Sequence, residues 1–179
     1  MPGKFLSKEA QHQIKKRRRF RKTAISVIRA WIIFLVITTI ILLNLFTHVF
    51  QIVRYSGNGM EPNLSSGQVL LLRKTQDVEE GDIIAFYYNN QVLVRRAICR
   101  SGRQISISED GTVLINNQPI EEDYLTEKSI GQCNIEFPYH VQDGFFVMGD
   151  NRVIAMDSRL KEIGVVSTDR IIGKVLLAI

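Results

Sequence analysis

Three short stretches concentrate the residues that could do chemistry. The first, Tyr55 to Leu72, gathers Gly57, Gly59, Gly67 and Pro62 around Ser56, Asn58, Ser65 and Ser66, then runs into the apolar Val69 to Leu72. Glycines let a backbone approach a ligand closely, and the apolar run reads as the strand that carries such a loop. In the second, Val92-Leu93-Val94-Arg95-Arg96-Ala97-Ile98, two adjacent arginines interrupt an apolar strand. Neighbouring strand residues face opposite ways, so Arg95 and Arg96 point to different faces. At least one is drawn inward and needs an acidic or carbonyl partner. The third, Met148 to Arg159, holds Asp150, Arg152, Asp157 and Arg159 within ten residues. Two carboxylates and two guanidiniums so close suit bidentate pairs that brace a loop against a core.

Nucleophilic catalysis needs a hydroxyl or thiol with a base positioned about 3 Å away. Ser56, Ser65 and Ser66 supply hydroxyls, but no base stands beside them in the sequence. His140, the only histidine beyond His48, sits next to Pro138 and Tyr139 and reads as a loop residue rather than a general base. Cys99 and Cys133 lack the C-x-x-C spacing and a nearby histidine pair that zinc requires, so neither metal nor cofactor is expected. The two cysteines fit one bridge or two buried thiols equally well.

The elements that must position these stretches divide the chain. Residues 1–23 are a basic tail, with Lys-Lys-Arg-Arg-Arg-Phe-Arg-Lys at Lys15 to Lys22. Residues 24–53 are expected to be a transmembrane helix, because Ala30 to Val53 is 24 residues without a charge and about 20 suffice to cross a bilayer. A cleaved secretory signal would have a shorter apolar core ending in small residues, which Phe46 to Phe50 do not supply. Basic residues beside a membrane helix stay on the cytoplasmic side, so 54–179 should be an extracytoplasmic domain of a single-pass plasma-membrane protein. Asn44 and His48, one helical turn apart, read as packing or interfacial polarity.

Ten of the chain's 23 Lys and Arg and one of its 18 acids lie in Met1 to Ala30, leaving 13 basic and 17 acidic residues beyond. The pI near 9.4 therefore belongs to the tail, and a mildly acidic outer domain argues against a nucleic-acid partner. Short apolar runs at Val69 to Leu72, Ile83 to Tyr88, Val92 to Ile98, Gln104 to Ile107, Thr112 to Ile115, Gly144 to Met148 and Ile171 to Leu176 have strand length and β-branched or aromatic enrichment. Glu80-Gly81-Asp82, Asn89-Asn90, Ser101-Gly102, Asp110-Gly111 and Asn116-Asn117 are the turns between them. A mainly β, antiparallel domain follows.

The three stretches, in this order after one anchor, resemble the type I signal peptidases over roughly Ile52 to Val175. The family's first motif runs Ser-x-Ser-Met-x-Pro-Thr-Leu and then Gly-Asp. Met60, Pro62, Leu64 and Gly67 match it, while Gly59 stands at the nucleophile's position. Arg95 takes the place of the catalytic lysine and Arg96 matches the family arginine. Gly149-Asp150-Asn151-Arg152, four residues, then Asp157-Ser158-Arg159 is the family's third motif. Ala155 occupies the place of a serine that supports the lysine. Gly164 and Ile172-Gly173-Lys174-Val175 continue the match.

The resemblance implies a signal-peptidase-type β domain whose Ser-Lys dyad is degenerate. Gly59 offers no attacking oxygen, and a guanidinium stays protonated and cannot act as base. No catalytic residue is therefore expected. The family receives an extended chain beside the nucleophile-bearing strand, which here implies a peptide groove formed by Gly57, Asn58, Gly59, Met60, Pro62 and Arg95. The third motif is expected to be structural. Signal-peptidase-like proteins without the dyad act in Gram-positive pilus assembly, so the implied partner is a pilin or other exported chain, with a sortase as a further candidate partner. Two alternatives stand beside this: an active signal peptidase with a displaced serine such as Ser56, and a structural membrane subunit docking a sortase or peptidase.

Overall fold

The computed structural model describes the backbone from Lys8 to Ile179 and the side chains of His12 and of Ile25 onward. Residues 1–7 and the side chains of the Lys15 to Lys22 run, to which the tail's orienting role was assigned, lie outside that description. The chain forms two compact units, one up to Thr47 and one from His48 to Ile179.

Helix α1, Lys8–Val49, makes up the described part of the first unit and ends two residues into the second, so the helix begins inside the basic tail rather than after it. Its Ile25–Val49 portion is long and apolar enough to cross a membrane. The hydroxyls of Thr38 and Thr39 donate back to the carbonyls of Phe34 and Leu35, which removes unpaired donors from an apolar face. The helix stops at Val49. Phe50 to Val53, which the uncharged run joins to the span, belong instead with Arg54 to strand β1, Phe50–Arg54, paired antiparallel with β2, Val69–Arg73. A run of uncharged residues cannot separate a helix end from an apolar strand that follows directly, and the strand's ladder partner lies fifteen or more residues away.

The second unit is antiparallel β, as the pattern of short apolar runs predicts. Six strands form one sheet in the order β1, β2, β10 (Ile171–Ala178), β3 (Ile83–Tyr88), β4 (Gln91–Arg100) and β9 (Phe145–Met148). Four shorter strands form a second: β7 (Gln118–Pro119), β6 (Val113–Ile115), β5 (Gln104–Ile107) and β8 (Tyr139–His140). The predicted turns hold. Asn89-Asn90 and Asn116-Asn117 both take positive φ at two successive residues, the conformation that closes a two-residue hairpin, here Tyr88↔Gln91 and Ile115↔Gln118. The two-residue strands β7 and β8 carry no sequence period and escape prediction; His140, expected in a loop, lies in β8 and is exposed.

Three apolar clusters make the core. One joins Ile98 and Cys99 to Ile105, Ile107, Val113, Ile115, Phe146 and Met148. Another packs Ile84, Phe86, Ala97, Val147, Ile163 and Val166. The third sits under the β1–β2 connection: Tyr55, Met60, Leu64, Leu70, Leu72, Ala85 and Val94. Burying a side chain of the size of Leu or Met contributes roughly 1.5–3 kcal/mol, so Met60 and Leu64 anchor the glycine-rich loop from beneath. Cys99 is buried and Cys133 half-buried, and both are free thiols.

Candidate functional site

The three motif stretches converge because of sheet order. The glycine-rich segment is the connection from β1 to β2, held at its base by Tyr55 N–H to the Gln68 carbonyl (2.8 Å) and Gly67 N–H to the Tyr55 carbonyl (2.9 Å). Arg95 and Arg96 lie in the middle of β4. Beside β4 runs β9, with Arg96 opposite Met148, and the third motif is the loop that leaves β9 at Gly149.

That loop is fastened to the first motif. Asn151 N–H donates to the Gly59 carbonyl at 3.0 Å, and Ala155 N–H donates to the Asn151 carbonyl at 3.0 Å. Gly149 lies so close that a Cβ there would stand 2.4 Å from the Gly59 oxygen and 2.2 Å from the Ala155 Cβ. Glycine is the residue that permits this approach.

Arg95 and Arg96 do face opposite ways, and both find the partners that burial demands. Arg95, 7% exposed, donates from Nε to the Met156 carbonyl (2.9 Å) and from Nη1 to the Val94 carbonyl (2.6 Å). Its guanidinium lies against Gly59: a Cβ on Gly59 would meet Nη2 at 3.0 Å, Cζ at 3.1 Å and Nη1 at 3.2 Å. Burial lowers the Arg95 pKa from its ordinary value, opposed by the charge of Asp157 and by a hydrogen bond with Tyr55. Tyr55, whose phenol is raised by its own burial, also accepts the Met60 N–H at 3.1 Å. On the other face, Arg96 makes a bidentate pair with Asp150 (Nε–Oδ1 2.9 Å, Nη2–Oδ2 2.6 Å), donates to the Gly81 carbonyl and stacks 3.9 Å over the Tyr124 ring.

The acids and arginines of the third motif pair more widely than among themselves. Asp157 and Arg159 do form a buried bidentate pair (2.8 and 2.7 Å), and Asp157 also accepts the Gly149 N–H at 2.9 Å. Arg159 continues to the carbonyls of Ile130 and Arg152, each at 2.8 Å. Asp150 turns instead to Arg96. Arg152, fully buried, reaches Glu122 at 2.5 Å and the Gly149 carbonyl at 3.0 Å. The Ser158 hydroxyl accepts the Val147 N–H at 2.9 Å. Every buried side-chain donor and acceptor among the described residues is satisfied.

The residues expected to line a groove divide. Gly57, Asn58 and Pro62 are exposed, whereas Gly59 and Arg95 are buried behind them. Met60 is fully buried in the third core cluster and supports the loop from below instead of lining its outer face. Ser56 is exposed, and the Ser66 hydroxyl accepts the Gly57 N–H at 3.2 Å.

Four participants were absent from the sequence-based set: Tyr55, Asn63, Glu122 and Tyr124. Asn63 donates to Asp150 (2.8 Å) and to the Tyr124 carbonyl (2.9 Å). Only Tyr55 and Asn63 carried a signal, by lying inside the glycine-rich stretch Tyr55 to Leu72; Glu122 and Tyr124 come from an irregular segment about thirty residues upstream of Arg152. Among the described residues no group of His, Cys, Asp and Glu is arranged to ligate a metal.

An apolar helix followed by an antiparallel β domain, with a β1–β2 glycine loop, a paired-arginine strand and a clamped loop after β9, defines a membrane-anchored protein of the signal-peptidase type. The sequence model described as signal peptidase, peptidase S26, matches residues 28–179, and the chain belongs to that family. It is 30% identical over 153 residues to signal peptidase I T of Bacillus subtilis (strain 168), covering 77% of this chain and 78% of that protein. Against signal peptidase IB of Staphylococcus aureus (strain N315) the identity is 26% over 166 residues, 81% and 85% of the two chains. A solved signal peptidase I from Enterococcus faecalis V583 aligns with TM-score 0.48 at 30% identity, over 56% of this chain and 97% of that one.

Proposed function

We propose that the chain is a catalytically inactive signal-peptidase-like protein that binds an exported polypeptide, a pilin or another pre-protein, during surface assembly. The observation that carries this reading is the contact of Gly59 with the Arg95 guanidinium, 3.0 Å from the position a Cβ would take. Where the family chemistry needs a hydroxyl beside a neutral amine, there is a backbone beside a permanent cation. Ser56 and Ser66 offer no substitute: Ser56 is exposed, the Ser66 hydroxyl accepts the Gly57 N–H, and among the described residues neither hydroxyl is hydrogen-bonded to a basic side chain. The intact clamp from Asn151 to Gly59 and the exposed Gly57, Asn58 and Pro62 support a retained binding edge, where an extended chain would gain backbone hydrogen bonds. The span Ile25–Val49 would hold the protein in the plasma membrane with the basic N-terminus inside and the β domain outside.

A second reading, an active signal peptidase, is favoured by the relatives themselves, which are named signal peptidases at 30–31% identity. A photocrosslinker introduced as Asn58→Cys in a Cys133→Ser background, which removes the accessible native thiol, and modified with benzophenone separates the two. Binding without cleavage gives a crosslinked adduct carrying the full-length pre-protein; an active enzyme gives adducts of the shortened chain.

A further inference from the structure

Three buried arginines, Arg95, Arg152 and Arg159, and the half-buried Arg96 lie around Gly59 and its clamp, and three of the four hold a carboxylate: Arg96 with Asp150, Arg152 with Glu122 and Arg159 with Asp157. Arg95 does not. Among the described residues no carboxylate lies within ion-pair distance of its guanidinium, and its partners are the carbonyls of Met156 and Val94 and the phenol of Tyr55. The acid whose charge acts on it, Asp157, has both oxygens engaged, by Arg159 and by the Gly149 N–H.

Carbonyl dipoles satisfy N–H donors but leave the net charge uncompensated, and a buried charge without a counterion is unfavourable. A guanidinium has five N–H donors in a planar fork, matched to the two oxygens of a carboxylate. The Nη1–Nη2 edge lies 3.2 and 3.0 Å from the Cβ position of Gly59, which has no side chain to pair with it. The exposed residues Gly57, Asn58 and Pro62 precede and follow Gly59, and Met156, whose carbonyl holds Nε, is itself exposed.

We infer that Arg95 is a docking point for a carboxylate carried by the exported chain, supplied either by its C-terminus or by an Asp or Glu side chain. This rests on the binding reading given above. The residue that fills the lysine position then has a use of its own: it contributes to selection of the bound chain through charge.

The test titrates the purified full chain, in detergent micelles, with three peptides: acetyl-Ala-Leu-Ala with a free C-terminus, its C-terminal amide, and acetyl-Ala-Asp-Ala amide. Calorimetry should find at least one carboxylate peptide binding about tenfold or more tighter than the Leu amide, with the preferred peptide identifying the carboxylate's source. Arg95→Gln should abolish the preference and Arg95→Lys should keep part of it. Equal affinity for all three, no binding of any, or a preference that survives Arg95→Gln overturns the inference. If Arg95→Gln does not fold, the wild-type comparison alone decides. Equal binding of all three leaves peptide binding standing, and failure of all three to bind leaves the full-length crosslinking experiment as a separate test of it.

Discussion

The backbone N–H of Asn151 donates to the carbonyl of Gly59 across 3.0 Å, tying the loop after β9 to the connection between β1 and β2. The clamp depends on Gly149, since a Cβ there would stand 2.2 Å from Ala155 and 2.4 Å from the Gly59 oxygen. Gly149→Ala should therefore force the two loops apart. Overpacking a well-filled site costs roughly 1–3 kcal/mol, and backbone is less able to give way than a side chain. Urea unfolding should show a loss in this range or larger; an unchanged midpoint would mean that the loops are not held in register by this contact.

Asp157 is fully buried and serves Arg159, the Arg159 N–H and the Gly149 N–H at once. Removing one partner of a buried ion pair strands the other charge and costs about 3–5 kcal/mol. Asp157→Ala should lower stability by that order. A melting temperature equal to wild type would show that the pair is dispensable.

Restoring the family chemistry requires coordinated changes. Gly59→Ser alone would push a Cβ to within 3.0–3.2 Å of the Arg95 guanidinium and leave the new hydroxyl without a base. The triple change Gly59→Ser, Arg95→Lys, Ala155→Ser should yield measurable cleavage of a pre-protein, with the single change giving none. Recovery would be small, because a misplacement near 1 Å can cost about 10²-fold. Cleavage by Gly59→Ser alone would contradict the role assigned to Arg95.

Burial raises the Cys99 thiol to about 11, with Glu80 adding to the shift and Arg103 opposing it. In the folded protein at pH 8, iodoacetamide should label half-buried Cys133 and leave Cys99 unmodified, as read by peptide mass spectrometry. Because the folded pKa is the higher one, this thiol's contribution to stability is complete below the unfolded value, near 8.5, and is lost as pH rises through about 11. Equal labelling of both cysteines in the folded state would refute the burial of Cys99.

The fold was legible where local rules act alone. Alternating apolar runs and the Asn-Asn hairpins are short-range signals, and seven predicted strands stand close to their observed bounds. Strand β1 was hidden because Phe50 to Val53 is as apolar as the helix before it, and only pairing with β2 distinguishes them. At the site, period-two alternation sufficed to send Arg95 and Arg96 to opposite faces. Their partners were not legible: Asp150 pairs with Arg96 54 positions away, and Glu122 reaches Arg152 across 30. Met60, set by its motif among the groove residues, turns inward because its neighbours Leu64, Leu70 and Val94 form an apolar floor that nothing local announces.

The most direct measurement is the intact mass of a purified pre-protein incubated with an equimolar amount of the full chain in detergent micelles, followed over hours. The account predicts an unchanged pre-protein mass together with a complex that persists through size-exclusion chromatography. A shortened pre-protein that accumulates with time, and ceases to do so with Ser56→Ala, would contradict it.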